Sequence, residues 1–306
     1  MKSTKLRSAH QVEASLESYS SAATGSPTTR WLVSLNLSFP LNRSKRVARR
    51  IPRETSENMT STPAEHGSGL HPALSKRQGF ALIEETTSVC NLMRTSIQAI
   101  RNMRYVHLDG DAVFTLGSIG VEKAMKVMLG CAAVADTGAW PTKAVLKDWG
   151  HDIEKLNSRV LSVIDEGVEH TAAPGYSTRL AGHVKESTFL PLVFAAFARY
   201  GRSGRFHHLD ILATDEPGEH DQPSEYWERV ELHVQERPEF RDPPFGDNTA
   251  LDAYEKRLRG SIADELDAWW FCLHRLGVQG CFGDLGKKVG WQIWDVDRPT
   301  PTLVRI

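Results

Sequence analysis

From about Pro72 to the C-terminus, apolar residues recur at intervals of three and four and never alternate with polar ones for long enough to make a half-buried strand, so the pattern predicts an all-α fold. In "QGFALIEETTSVCNLMRTSIQAIRNMRY", Phe80, Ile83, Cys90, Met93, Ile97 and Ile100 have the spacing of one helix face. A second helix, Asp111 to about Ala135, gathers Phe114, Val121, Met125, Met128 and Leu129, sets Glu122 one turn before Lys126, and ends at Gly138 and Trp140-Pro141. A short helix over Thr142 to Asp148 follows, then one whose stripe is Ile153, Leu156, Val160, Val163 and Ile164. The polar connector "HTAAPGYSTRLAGHVKEST" has a pattern that leaves its structure open. Phe189 to Tyr200 is apolar nearly all round, as befits the middle of a bundle. Ser224 and Glu225 start another helix, which "RPEFRDPPFGDN" breaks. The longest stripe is Leu251, Tyr254, Leu258, Ile262, Leu266, Trp269 and Leu273; it predicts Gly277 as its C′ glycine and Trp269 and Trp270 as core and surface neighbours. "KKVGWQIWD" closes the chain with a short helix or turn, and no internal repeat is present.

Charge changes the picture at the N-terminus. The 306 residues carry a formal net charge of −1, yet residues 1–58 hold ten Lys and Arg against four Glu, so the remainder carries about −7. A split of this kind marks arms that bind nucleic acid or membrane. Met1 to His71 is rich in Ser, Thr and Arg, contains "NRSKRVARRIPR", and shows neither period, so residues 1–72 are expected to be a disordered basic arm. Two origins stand open: an organelle transit peptide, against which Glu13 and Glu17 count, or an upstream reading frame ahead of a start at Met59. The expected organisation is then the arm, a helical bundle over residues 73–213, and a C-terminal helical segment over 214–306 that packs on it.

Cys90, Cys131, Cys272 and Cys281 form no CxxC pair and no ligand spacing with His, so no zinc site or disulfide framework is expected, and reduced thiols fit a cytoplasmic protein. No run approaches the roughly 18 apolar residues of a membrane span. "GCFGDLGKKVG" has five residues between Gly280 and Gly286, one too many for a phosphate loop, and Lys288 where that loop needs Ser or Thr. It reads as a Gly-rich turn between helices. Asp152 stands where a helix start favours a capping carboxylate, and Glu122 and Lys126 have the favourable order for a surface ion pair. No cofactor is expected. His207 and His208, being consecutive, diverge by about 100° on a helix and cannot share one metal ion.

The strongest candidate chemistry lies in "ARYGRSGRFHHLD", which follows the apolar helix. From Arg199 to His208 there are three arginines and two histidines and no acid, in a body that is otherwise net negative. Arg202 and His207, with four residues between them, suit cleavage of RNA without a metal. A histidine near its working pH takes a proton from the 2′-hydroxyl or gives one to the leaving oxygen, while an arginine fork holds the non-bridging oxygens. The alternative is that Arg199, Arg202 and Arg205 serve the C-terminal carbonyls and dipole of the preceding helix.

"GVEKAMKVML" at Gly120, "WGHDIEKL" at Trp149 and "ARYGRSGRFH" at Ala198 occur in an order that resembles the HEPN family of small helical bundles. Glu122, Lys123 and Lys126 stand for its Glu-Lys-x-x-Lys-like helix, His151 and Asp152 for its His-Asp helix start, and Arg202 with His207 or His208 for its Arg-x(4 to 6)-His motif. The resemblance covers about Leu74 to Ala213. It implies a metal-independent ribonuclease of toxin-antitoxin, defence or RNA-processing type. Such a protein acts as a homodimer with facing motifs and can have an antitoxin partner. Arg202 would be the phosphate and transition-state ligand, His207 the general acid/base, and Arg199, Arg205 and His208 substrate contacts. Members without activity bind nucleotide, RNA or a partner protein instead. The chain departs from the pattern after the motif arginine, where Ser203 and Gly204 replace the usual Asn, Asp or His.

Overall fold

The first described helix begins at a capping box. Ser75 Oγ accepts from Gln78 N at 3.2 Å and Gln78 Oε1 accepts from Ser75 N at 2.9 Å, which satisfies two donors that a helix start would otherwise leave bare. The computed structural model describes residues 70–303 apart from 219, 296 and 302; the start at Met59 and all of the expected disordered arm but residues 70–72 fall outside this range. The described residues hold ten α-helices and no strand: α1 (Lys76–Asn102), α2 (Val106–Thr137), α3 (Lys143–Trp149), α4 (Ile153–Gly167), α5 (Pro174–Lys185), α6 (Leu190–Arg202), α7 (His207–Thr214), α8 (Pro223–Gln235), α9 (Asn248–Gln279) and α10 (Gly283–Gln292). The all-α expectation holds. None of the described helices is long and apolar enough to cross a membrane.

α2 is the hub on which the candidate site is mounted. It packs against α1, α4, α6 and α10, with Phe114, Val121, Met125, Met128 and Leu129 all buried. α6 lies between α2, α4 and α8, and its Val193, Phe194, Phe197 and Ala198 are buried as an all-round apolar helix requires. Asp152 caps α4 by accepting from Lys155 N at 3.2 Å. The C-terminal end of α6 therefore meets the capped, acidic N-terminal end of α4.

Four expectations are corrected or completed. The buried face of α1 runs through Leu82, Thr86, Val89, Met93, Ile97 and Ile100, while Phe80 and Ile83 are exposed. Thr86 is the reason: its hydroxyl donates to Leu82 O at 2.7 Å, so a residue that looks polar joins the apolar stripe. The segment after the 3₁₀ turn Val168–His170, whose pattern leaves its structure open, forms α5, which packs on α9 and turns Ser177, Leu180, Ala181 and Val184 inward. Trp270 is as buried as Trp269, because α9 is covered on several sides by α1, α5, α8 and α10. Burying each indole removes about 150–250 Å² from water, a stabilisation of about 4–6 kcal/mol at about 25 cal/mol/Å².

The fourth correction concerns the end of α9. Gly280, with φ +93°, is its left-handed cap, and Gly277 lies inside the helix at a close crossing with α10. A Cβ on Gly277 would stand 3.1 Å from Gly290 Cα, and one on Gly290 would stand 2.5 Å from Val278 N and 2.8 Å from Gly277 C. The two helices thus touch backbone to backbone. Beside the crossing His274 is 4% exposed, with Nδ1 2.7 Å from Gly290 O and its ring stacked 5.9 Å from that of Trp294.

Candidate functional site

The three stretches that carry the family resemblance converge in space. On α2, Glu122 Oε1 accepts from Lys126 Nζ at 2.8 Å and lies 2.9 Å from His151 Nδ1. The next residue, Asp152, faces Arg202 NH1 at 3.8 Å, and Glu154, in the first turn of α4, accepts from Arg202 NH2 at 2.9 Å. The pair of Glu122 and Lys126 is therefore formed, with His151 added to it. Each of these contacts reaches solvent, so they align the start of α4 with the middle of α2 and the end of α6 more than they stabilise the fold.

Ser203 and Gly204 decide how the basic stretch turns. Ser203 ends α6 and takes a hydrogen bond from Arg199 NH1 at 2.7 Å. Gly204 is buried, and a Cβ there would stand 2.5 Å from Pro223 Cγ and 2.9 Å from Arg199 O; only a glycine lets the chain pass so close to the start of α8. A 3₁₀ turn over Gly204–Phe206 follows, and α7 begins at His207. Arg202 and His207 consequently stand at the end of one helix and the start of another.

They line adjoining cavities. One, of about 360 Å³, is lined by Glu154, Arg199, Arg202, Ser203, His220 and Tyr226 among others. The next, of about 570 Å³, is lined by Arg199, Ser203, His207 and His220 together with the carboxylates of Asp210 and Glu216. Arg199, Ser203 and His220 belong to both, so they form the shared wall. His207 is half-buried, and the ring is pressed against Gly218: a Cβ there would stand 2.6 Å from His207 Cε1. Arg205 and His208 line neither cavity. The Arg205 guanidinium lies 4.9 Å from the Phe206 ring centroid, and His208 sits edge-on to His207 at 5.2 Å.

The charges are unequally committed. Arg202 has two carboxylate partners, whereas Arg199 donates to two neutral acceptors: Nε to Asp221 O at 2.8 Å and NH1 to Ser203 Oγ. Among the described residues no carboxylate is in ion-pair contact with Arg199. Its geometry is fixed by these two bonds and it lines both cavities, so an anion entering either one meets it. Among the described residues no group of three or more His, Cys, Asp or Glu is placed to hold a metal ion.

Sequence reasoning passed over Glu154, His220 and Tyr226. Glu154 and His220 carry no local signal, since His220 lies in the acidic loop "TDEPGEHDQPSE" and reaches the site only through the path of the chain. Tyr226 has one: Arg229 follows it by three residues on a helix, the spacing of a contacting pair. No family model, curated protein or solved structure matches the chain.

Proposed function

We propose that this protein is a HEPN-like, metal-independent endoribonuclease of toxin or defence type that works as a homodimer. Arg199 and Arg202 hold the scissile phosphate, and His207 transfers the proton. The observation that carries the reading is the shared wall: Arg199 and Ser203 line both the cavity of Arg202 and the cavity of His207. A phosphodiester bound across that wall has guanidinium donors on its non-bridging oxygens and an imidazole beside its ribose. The 2′-oxygen attacks phosphorus, the bond from phosphorus to the 5′-oxygen breaks, and the proton lost by the 2′-hydroxyl is balanced by the one gained by the leaving oxygen. The products are a 2′,3′-cyclic phosphate and a 5′-hydroxyl. General acid–base catalysis of this kind contributes about 10²–10⁴-fold, and oriented cations add to it as charge builds on phosphate.

The test is RNA cleavage by the purified full chain with and without a chelator. Cleavage that survives the chelator, leaves cyclic-phosphate ends and disappears in folded His207→Ala, Arg202→Ala and Arg199→Ala supports the reading. A wild-type protein that cuts no RNA, and that these variants match in cells, overturns it. One observation favours a second reading, a non-catalytic module that binds RNA or nucleotide. Arg202 is already paired with Glu154 and Asp152, which suits a holding role better than a transition-state role. That module retains RNA in a salt-sensitive way, through counterion release, and yields no products.

A further inference from the structure

Tyr226 stands on α8 and lines the cavity of about 360 Å³ together with Arg199, Arg202 and Glu154, the carboxylate that Arg202 pairs with. The guanidinium of Arg229, one turn along the same helix, lies 4.6 Å from its ring centroid. Arg229 is anchored in turn by an ion pair with the Asp221 carboxylate, and the Asp221 carbonyl is the acceptor that fixes Arg199 Nε at 2.8 Å. Asp221 thus orients both the arginine that faces the cavity and the arginine that backs the aromatic ring, one through its main chain and the other through its side chain.

A phenol ring held by a guanidinium is a flat, pre-ordered surface, and flat rings prefer to stack on such a surface over entering water. Two guanidinium groups in the same cavity supply the forks that phosphate oxygens accept. A volume of about 360 Å³ lies in the range of pockets that enclose small ligands. We propose that this cavity is a nucleoside subsite, in which Tyr226 stacks on a base while Arg199 and Arg202 hold the phosphate on its ribose. The proposal rests on the reading that the site takes RNA and says where one nucleotide of it lies. Because every base has a π face, the subsite takes any of them.

The test titrates the full chain by calorimetry with adenosine 5′-monophosphate, uridine 5′-monophosphate, ribose 5-phosphate and inorganic phosphate, alongside the RNA cleavage assay. Both mononucleotides should bind about 5- to 150-fold more tightly than ribose 5-phosphate, the effect of one stacked base. Tyr226→Leu, which keeps apolar bulk without a ring, should erase that advantage and leave ribose 5-phosphate binding unchanged. Tyr226→Phe should keep it and so controls for folding. Equal binding of nucleotide and ribose 5-phosphate by the wild type, or an advantage that survives Tyr226→Leu, overturns the subsite even if the protein cleaves RNA. Tyr226-dependent nucleotide binding with no cleavage upholds the subsite and removes the ribonuclease reading. Failure of every phosphate-bearing ligand to bind overturns the subsite as well.

Discussion

Gly290→Ala tests how closely α9 and α10 are joined, and Gly260→Ala on α9 provides its opposite. A methyl group at 290 would lie 2.5 Å from Val278 N, 2.8 Å from Gly277 C and 3.2 Å from Gly277 Cα. All three are main-chain atoms, which yield only if a whole helix shifts. Overpacking a filled interface costs about 1–3 kcal/mol, and contact with backbone puts this site at the top of that range. Alanine in a helix interior is about 0.5–1 kcal/mol better than glycine, so the net loss is about 2 kcal/mol. At Gly260 nothing lies within 4 Å of the added carbon; the same substitution there should stabilise by about 0.5–1 kcal/mol. For a folded region of this size each kcal/mol moves Tm by about 2–4 °C. Gly290→Ala should then melt about 4–8 °C below the wild type and Gly260→Ala about 1–4 °C above it. Circular dichroism melts, with urea midpoints to check them, read both. If Gly290→Ala melts at or above the wild type, the backbone contact between the helices is wrong.

Three further outcomes follow from particular residues. Gly218→Ala would bring a carbon to 2.6 Å from His207 Cε1 and 2.9 Å from Nδ1; by displacing the ring it should lower RNA cleavage about 10²-fold with Tm unchanged, and full activity would refute the placement of His207. Burial holds the His274 pKa below its usual value, against the smaller opposite effect of its bond to Gly290 O. The unfolded chain therefore binds the proton first: the stability this neutral side chain contributes is complete above about pH 6.5 and declines as pH falls from there toward the lowered folded value. Urea midpoints between pH 7.5 and 5 should fall more steeply for the wild type than for His274→Gln, and parallel curves would exclude the effect. Burial also pushes the thiols of Cys131, Cys272 and Cys281 up to about 12, while Cys90 is raised but only half-buried. A thiol reagent at pH 8 should label Cys90 in the native protein and the other three only after unfolding; rapid labelling of all four would count against the core as described.

The helices most legible in the sequence are those whose inward residues are large and apolar. α2, α4 and α9 follow their predicted stripes because one face of each carries Leu, Ile, Val, Met, Phe or Trp, and α6 is legible because it is apolar nearly all round. α5 escaped notice because Ser177 and Ala181 share its buried face with Leu180 and Val184, and small residues leave no period. α7 has no buried residue at all, so nothing in its pattern could declare it. Gly277 resembles a helix end for the same reason that it serves a crossing: both need the missing side chain, and only the neighbouring helix distinguishes them. At the site, the cationic stretch is visible from the sequence. Its partners are not. Asp221 lies 22 residues from Arg199 and Glu154 lies 48 from Arg202, and no local rule links residues across such distances. The sequence also suggested a uniformly cationic patch, whereas folding pairs Arg202 with carboxylates and leaves Arg199 with neutral acceptors.

The position of α9 has a consequence for how the protein is made. The helix that covers α1 begins at Asn248, while α1 and α2 are complete by Thr137. A ribosome adding about 5–20 residues each second needs about 5–20 s to span that interval. Through that time the nascent chain presents a greasy surface whose cover has not been synthesised, so its survival depends on what shields it during translation. A messenger that slows elongation between these helices should lower the yield of soluble protein without altering a single residue.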